Sequence, residues 1–446
     1  MAQYMDLYKE KLRTADEAVK AVKSGDWVAY SHFVMTPVTL DRALAKRAGE
    51  VTDVKIKIST GFAGSQAVLA DPEQKSFTYH SSFFSHADRQ LGDKGLCFHL
   101  PGNYSQETEN LYKGYCAAPN VCFIKTTPMD KHGFFNFGTS PSFAYASAEL
   151  ADIVIVEVNS NVPRCLGGSN EKLHISQVDY IVESANEPML EIPVVKVTPE
   201  DEKIAGYIVS EIEDGACLQL GIGGIPNMVG KYIAESDVKD LGGHSEMLAD
   251  AYVDLYENGK MNGKYKTLDV GKMSFTFAMG SQRLYDFMDD NPVCAAYDSG
   301  YTNSIMNIAA NDKVISVNNA LQVDLYGSIV SGSQGYRHIS GSGGQLDFTI
   351  GATYSRGGKS FICLKATRVR DGKLISRIVP ALNGVVTTPR SYTMNVVTEF
   401  GVAKIKGFPT WGVAENLINV AHPDFRDELI KDAQEMGIWR RTNKIS

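Results

Sequence analysis

Apolar residues recur along the 446-residue chain in two rhythms. In ADEAVKAVKSGDWVAYS, Ala15, Ala18, Val19 and Val22 stand at helical spacing, Ser24-Gly25 stops the helix, and residues 27–30 read as a strand. The same order returns in EKIAGYIVSEIEDGACLQLG. With Gly25 set on Gly215, Ala205, Ile208, Val209 and Ile212 fall on those four positions, and Cys217-Leu218 falls on Trp27-Val28. Each half then has a proline before a helix, Pro37 before LDRALAKRAGE and Pro226 before NMVGKYIAES. A strand-like segment follows, 54–59 and 239–246. The repeat predicts a duplicated unit: an α/β protein of two similar α/β domains, residues 1–195 and 196–446, with a cleft between them of the kind ligands favour. Chance likeness of amphipathic helices is the alternative. Pro188, Pro193 and Pro199 mark the turn between the halves at 186–201.

Further strands follow from β-branched runs: NVCFIKT (120–126) and IVIVEV (153–158), apolar enough for buried parallel strands. Residues 275–279, 313–324 (KVISVNNALQVD) and 395–399 (NVVTE) read as strands as well. Runs 360–368 and 373–378 form a hairpin around Asp371-Gly372. Residues 414–433 read as closing helices.

The stretch with most chemistry is 218–246, LQLGIGGIPNMVGKYIAESDVKDLGGHSE. A strand, a glycine turn (Gly221, Gly223, Gly224) and a proline at the mouth of a helix could bring backbone N–H groups to a phosphate or an oxyanion. The turn is neither GxGxxG nor a P-loop, since Pro226 stands at the last glycine position and no GK[ST] follows. A plain strand–helix turn is the other reading. Gln219 and Asn227 flank it as possible donors. Glu246 closes the next strand, and open α/β sheets place their sites at strand carboxyl ends. A carboxylate can be a covalent nucleophile on an activated acyl group, given donors for the oxyanion; a solvated residue or helix cap is the alternative.

SGSGGQLD (340–347) is a second glycine loop, either a surface hairpin or, with the first, a cradle for a long ligand with a pyrophosphate. Lys365 and Arg368 add local basic charge. DKHGFFNFG, with His132 and Asn136, is either an aromatic core turn or a wall for a small apolar substrate.

Composition narrows the field. At 43% hydrophobic, 22% charged and net −8, the chain is an ordinary globular one and not a general nucleic-acid binder. The charged N-terminus lacks the apolar core of a secretion signal, and no apolar run reaches membrane-spanning length, so a cytoplasmic protein with no membrane partner is expected. Seven cysteines without a CxxC pair read as reduced core residues. His80, His86 and Asp88 match no standard zinc spacing, so no metal is expected.

At ADEAVK..KSGDWV, D.HGFFNFG, VEVN..VPRCLGG, LQLGIGGIPN, DLGGHSEM, FAMGSQRLYDF, NNALQVDLYG, SGSGGQLDF, VVTEFG, NVAHPDFRDEL and IWRRTN, the sequence resembles the acetyl-CoA hydrolase/transferase family. Within it the likeness is to the CoA-transferases of the butyryl-CoA:acetate and 4-hydroxybutyrate type, over nearly the whole chain. The resemblance implies two CoA-transferase-type α/β domains. It implies Glu246, the glutamate of HSEM, as nucleophile in the C-terminal domain, and Gly221, Ile222, Gly223, Gly224, Ile225, Leu321 and Gly344 as CoA contacts. It further implies acyl-CoA and short-chain carboxylates as partners, no permanently bound cofactor, coenzyme A as substrate, and a homo-oligomer. The implied reaction is ping-pong transfer through a glutamyl-CoA thioester. An acyl-CoA hydrolase using the same intermediate, and a non-catalytic acyl-CoA sensor, are the competing readings. The acyl group stays open, because a methylene in an apolar pocket is worth only about 1–3 kcal/mol.

Overall fold

The computed structural model describes residues 2–62, 64–193, 195–221 and 223–443. Two compact units divide it. The first takes Met1–Pro193 with Glu246–Asp250 and Ser274–Asn303. The second takes Val194–Ser245 with Ala251–Met273 and Ser304–Ser446. Glu246 therefore packs within the first unit, although it follows the N-terminal strands of the second half in sequence.

The first unit is built on a seven-stranded sheet of β1 (Trp27–Tyr30), β2 (Val54–Ile58), β3 (Phe77–Ser81), β4 (Phe98–His99), β5 (Val121–Thr126), β6 (Ile153–Val158) and β7 (Tyr180–Glu183). Their order is β4-β3-β2-β1-β5-β6-β7, every pair parallel. The chain winds outward from β1 to β4, returns beside β1 and winds out the other way. The switch point, where such sheets open a crevice at their carboxyl ends, lies between β1 and β5. IVIVEV forms a central strand because both its faces are covered: Val154, Ile155 and Val156 are buried in two apolar clusters.

The second unit repeats the plan. β8 (Cys217–Leu220), β9 (Gly242–His244), β10 (Val314–Asn319), β11 (Lys359–Cys363), β12 (Asn395–Thr398) and β13 (Gly401–Lys404) lie in the order β9-β8-β10-β11-β12-β13. All pairs are parallel except β12–β13. Its switch point lies between β8 and β10. The repeat seen in the sequence has a backbone counterpart: Gly25 and Gly215, in the turns that lead into β1 and β8, have φ of 89° and 75°. Only glycine adopts that conformation at little cost.

Some boundaries differ from the sequence reading. The run 313–324 splits, because Ala320 still donates to Cys363 O while Leu321 turns to Val330 O. Gln322–Asp324 then joins a separate three-stranded sheet. The run 275–279 is broken: Phe275 ends the strand Met273–Phe275, and Phe277–Ala278 forms a second short strand. Residues 340–344 form no hairpin; they lead into helix Gln345–Tyr354. The turn at Asp371-Gly372 forms as expected, with φ of 51° and 73° and Arg370 facing Lys373, but the hairpin is only Thr367–Arg370 with Lys373–Ser376; the start of the 360–368 run lies in β11 of the main sheet. All seven cysteines are free, and only Cys116 is partly exposed. No helix among the described residues is long and apolar enough to cross a membrane.

Candidate active site

In the second unit, β8 ends at Leu220 and the chain turns through Gly221 and Gly223 into helix α1 (Gly224–Glu235). Ile222 lies outside the described residues. Gly223 caps the helix with φ of 117°, open only to glycine. Gly224 is required for another reason. A Cβ there would meet Asp201 Oδ2 at 2.7 Å. Asp201 is buried and bound: it accepts from Thr198 N and Oγ1 at 3.0 and 3.1 Å, and Lys365 Nζ stands 3.3 Å away. The helix starts two residues before Pro226, so the proline sits in the first turn, where a missing N–H costs nothing. Ile225 is buried beneath the loop.

The neighbouring strand end is polar. Ser316 Oγ and Asn318 Nδ2 donate to Gln219 Oε1 at 2.8 and 3.2 Å. Leu321, just past β10, is partly exposed and spends its N–H on Val330 O at 2.8 Å. Gly344 caps helix Gln345–Tyr354. Gly221, Gly223, Gly224, Ile225 and Leu321 thus gather at the carboxyl ends of β8 and β10, the switch point of this unit, where free helix N–H groups favour an anion.

In the first unit Glu246 is half-buried. Its backbone carbonyl accepts from Thr276 N (3.0 Å) and Phe277 N (3.2 Å), starting the parallel pairing of Met247–Leu248 with Phe277–Ala278. Its Oε2 accepts from Asn303 Nδ2 at 2.6 Å. Asn303 is fully buried at the C-cap of Ser299–Thr302, its N–H on Ser299 O, and its own Oδ1 has no partner. The amide is thus anchored by its backbone and aims one donor at the carboxylate, a charge-assisted bond.

An aromatic cluster accompanies the carboxylate. Phe33 stacks on Phe277 at 3.7 Å, and Tyr104 meets Phe33, Phe143 and Phe277 edge-on. Tyr104 Oη donates to Ser142 Oγ at 2.6 Å. Burial above all holds the Tyr104 hydroxyl protonated; its Ser142 bond pulls the other way, and the charges of Glu246 and Glu107 add to the burial effect. Phe33, Thr60 and Ser142 have φ of 56°, 61° and 44°. Such conformations are costly for bulky or β-branched residues and cluster at functional sites. Buried hydroxyls of Ser59, Thr139, Ser140 and Thr276 lack partners. The His32 ring is tilted against Phe143, centroids 4.0 Å apart, its pKa pushed down to about 3 by burial and then by Lys57.

The other candidates take structural places. Phe135 and Phe137 of DKHGFFNFG are core residues, and Asn136 donates to Cys165 O. Asp88 accepts from Gly61 N, Ser85 N, Tyr79 and Ser81, while the His80 ring packs on Trp27. The described residues hold no group of three potential metal ligands. Lys365 is tied to Asp201 and Thr198.

Residues 1–195 match the acetyl-CoA hydrolase/transferase N-terminal domain, and residues 280–433 match the C-terminal domain of the same name. The chain belongs to the acetyl-CoA hydrolase/transferase family. Butyryl-CoA:acetate CoA-transferase of Anaerostipes caccae is 48% identical over 445 residues, covering 99% of this chain and 100% of that protein. 4-Hydroxybutyrate coenzyme A transferase of Clostridium kluyveri is 39% identical over 432 residues, covering 96% and 99%. The crystal structure of RipA from Yersinia pestis superimposes with a TM-score of 0.89 at 36% identity, covering 97% of this chain and 99% of that one. The family fold of two CoA-transferase-type α/β domains agrees with the resemblance read from the sequence.

Nothing in the sequence marks Asn303, Tyr104 or Phe33, and Phe277 stands out there only as part of the strand run 275–279 and of FAMGSQRLYDF. Asn303 is 57 residues from Glu246, in no motif that links the two. Positive φ at a phenylalanine leaves no compositional trace, because that backbone is ordinarily signalled by glycine.

Proposed function

We propose that the protein is a CoA-transferase that moves CoA between a short-chain acyl-CoA, butyryl-CoA or 4-hydroxybutyryl-CoA, and acetate, with Glu246 as covalent nucleophile. The observation that carries the assignment is the Glu246 carboxylate, half-buried and held at 2.6 Å by a buried asparagine. A free carboxylate is a weak nucleophile; fixing its direction removes part of the entropic cost of attack.

In the mechanism that follows, a Glu246 oxygen attacks the thioester carbonyl, and the C–S bond breaks to release CoA thiolate and leave an acyl-glutamyl anhydride. The thiolate then attacks the glutamyl carbonyl, and the anhydride C–O bond breaks to release the carboxylic acid as its anion. Glu246 is left as a CoA thioester. Acetate repeats the two steps in reverse and leaves as acetyl-CoA. Each step exchanges one acyl bond for another, so thioester energy is conserved and no ATP is consumed. Charge develops on the carbonyl oxygen in every addition, and Asn303 Nδ2, already on a Glu246 oxygen, is placed to donate to it when the glutamyl carbonyl is the centre attacked. On the second unit, Gly221, Ile222, Gly223, Gly224, Ile225, Leu321 and Gly344 would hold CoA. Binding energy from that long handle serves the reacting centre.

Initial rates with butyryl-CoA and acetate, varied together, test the assignment. Parallel double-reciprocal lines and acetyl-CoA formation are expected. Free CoA released at the same rate without acetate would instead make the protein a hydrolase. Binding without either product would leave a sensor.

A further inference from the structure

Arg368, already noted in the sequence for its local basic charge, and Arg377 of the second unit have no part in the site described above. The strands Thr367–Arg370 and Lys373–Ser376 pair with Arg368 opposite Ile375, and Arg377 N continues the ladder to Ala366 O at 2.9 Å. Arg377 is two residues past the position opposite Arg368, so the two side chains are diagonal neighbours on one face of the ribbon. Both are part-buried, and the Nε–H of each is sealed from solvent without a hydrogen-bond partner. Neither forms an ion pair with any acid of the described residues. The carboxylate nearest in effect, Glu399, is already occupied: its Oε2 accepts from Ala366 N at 2.8 Å. Burial and the neighbouring Arg368 charge pull the Arg377 pKa down, with Glu399 opposing them. Arg368 is also oriented: with its amide oxygen turned inward, Gln334 accepts from Nη1 and Nη2 at 2.8 and 3.2 Å.

Two guanidinium groups held on one face with unsatisfied donors are a costly arrangement unless an anion completes it. The planar fork of arginine matches a phosphate group in particular. The location suits one. Ala366 lies just beyond the carboxyl end of β11, which pairs with β10, which pairs with β8. The pair therefore stands at the same sheet edge, within the same unit, as the Gly221–Gly223–Gly224 turn.

We infer that Arg368 and Arg377 form a phosphate-binding pair, and that the phosphate they take is on the nucleotide end of coenzyme A. The source of the phosphate rests on the acyl-CoA reading above; the anion site itself does not.

Calorimetric titration with adenosine 3′,5′-bisphosphate, and separately with inorganic phosphate, tests the pair in the full-length protein and in R368Q and R377Q. The bisphosphate is expected to bind, and each substitution is expected to weaken it roughly tenfold or more, the size of one lost charge-assisted contact. In parallel, kcat/KM for butyryl-CoA should fall through KM, while kcat/KM for butyryl-pantetheine, which lacks the nucleotide, should stay unchanged. Inorganic phosphate binding as tightly as the bisphosphate would overturn the assignment to coenzyme A. Bisphosphate affinity indifferent to both substitutions, or no binding at all, would overturn the site. Bisphosphate binding that depends on both arginines, in a protein that turns over no acyl-CoA, would keep the site and remove the transferase reading. Thermal unfolding checks each variant; should R377Q not fold, R377K keeps the charge without the fork and is expected to lose part of the affinity.

Discussion

Replacing Gly224 by alanine adds one methyl group whose position the backbone dictates. It would lie 2.7 Å from Oδ2 and 3.0 Å from Cγ of Asp201. That carboxylate cannot swing away freely. It closes the capping box of helix Pro199–Val209 through Thr198 N and Oγ1, and it pairs with Lys365 Nζ at 3.3 Å. Either the box opens or the start of α1 shifts. Loss of a cap costs about 1 kcal/mol and overpacking about 1–3 kcal/mol, so whichever way the clash is relieved about 1–3 kcal/mol is expected. At about 2–4 °C per kcal/mol for a domain of this size, the corresponding thermal transition should fall by about 2–12 °C. KM for butyryl-CoA should rise with it, since the displaced turn carries the helix N–H groups. Asp201→Ala removes the obstacle, so adding Gly224→Ala to it should cost under about 1 kcal/mol, a coupling that isolates the contact. Gly221→Ala is the control: its Cβ meets nothing within 4 Å, and its effect should stay within about 0.5 kcal/mol. Equal cost of Gly224→Ala with and without Asp201 would refute the reasoning.

Other outcomes follow from the first unit. Asn303→Ala removes the donor at 2.6 Å from Glu246 and should lower kcat by roughly 10- to 100-fold, the worth of a bond to a charged group, with a smaller change in KM. His32, buried neutral with a pKa of about 3 against an ordinary 6.5, gives stability its own pH dependence. Below pH 6.5 the unfolded chain takes up a proton that the folded chain refuses. Stability present at neutral pH is therefore lost as pH falls from 6.5 toward 3, by about 2 kcal/mol between pH 6.5 and 5. Denaturant titrations across that range should show a shallower loss for His32→Asn than for the wild type; parallel curves would contradict it.

The architecture was legible where a local signal and the global fold agree. IVIVEV reads as a buried strand and is one, because β-branched residues fill both faces of a parallel sheet. Asp371-Gly372 reads as a two-residue turn because few other pairs accept two positive φ values. The split of 313–324 was hidden, since apolar residues continue past Asn318-Asn319 and the long-range choice of Leu321 N for Val330 O ends the first sheet. The site was legible by halves. The glycine turn is marked by composition, whereas the role expected of Glu246 comes from the resemblance at HSEM, since a glutamate after a strand is more often a solvated residue or a cap. Asn303 is an ordinary polar residue at a short helix end, brought to Glu246 by tertiary folding alone. The strained Phe33 and Thr60 could not be read, because their conformations are imposed by their surroundings against their own preference.

Intact-mass measurement after incubation with butyryl-CoA, acid quench and comparison with Glu246→Gln tests the central claim most directly. A CoA-sized adduct on the wild type only, cleared by acetate, is the predicted result. Butyryl-CoA bound without any adduct, or an adduct of equal yield on Glu246→Gln, would contradict it.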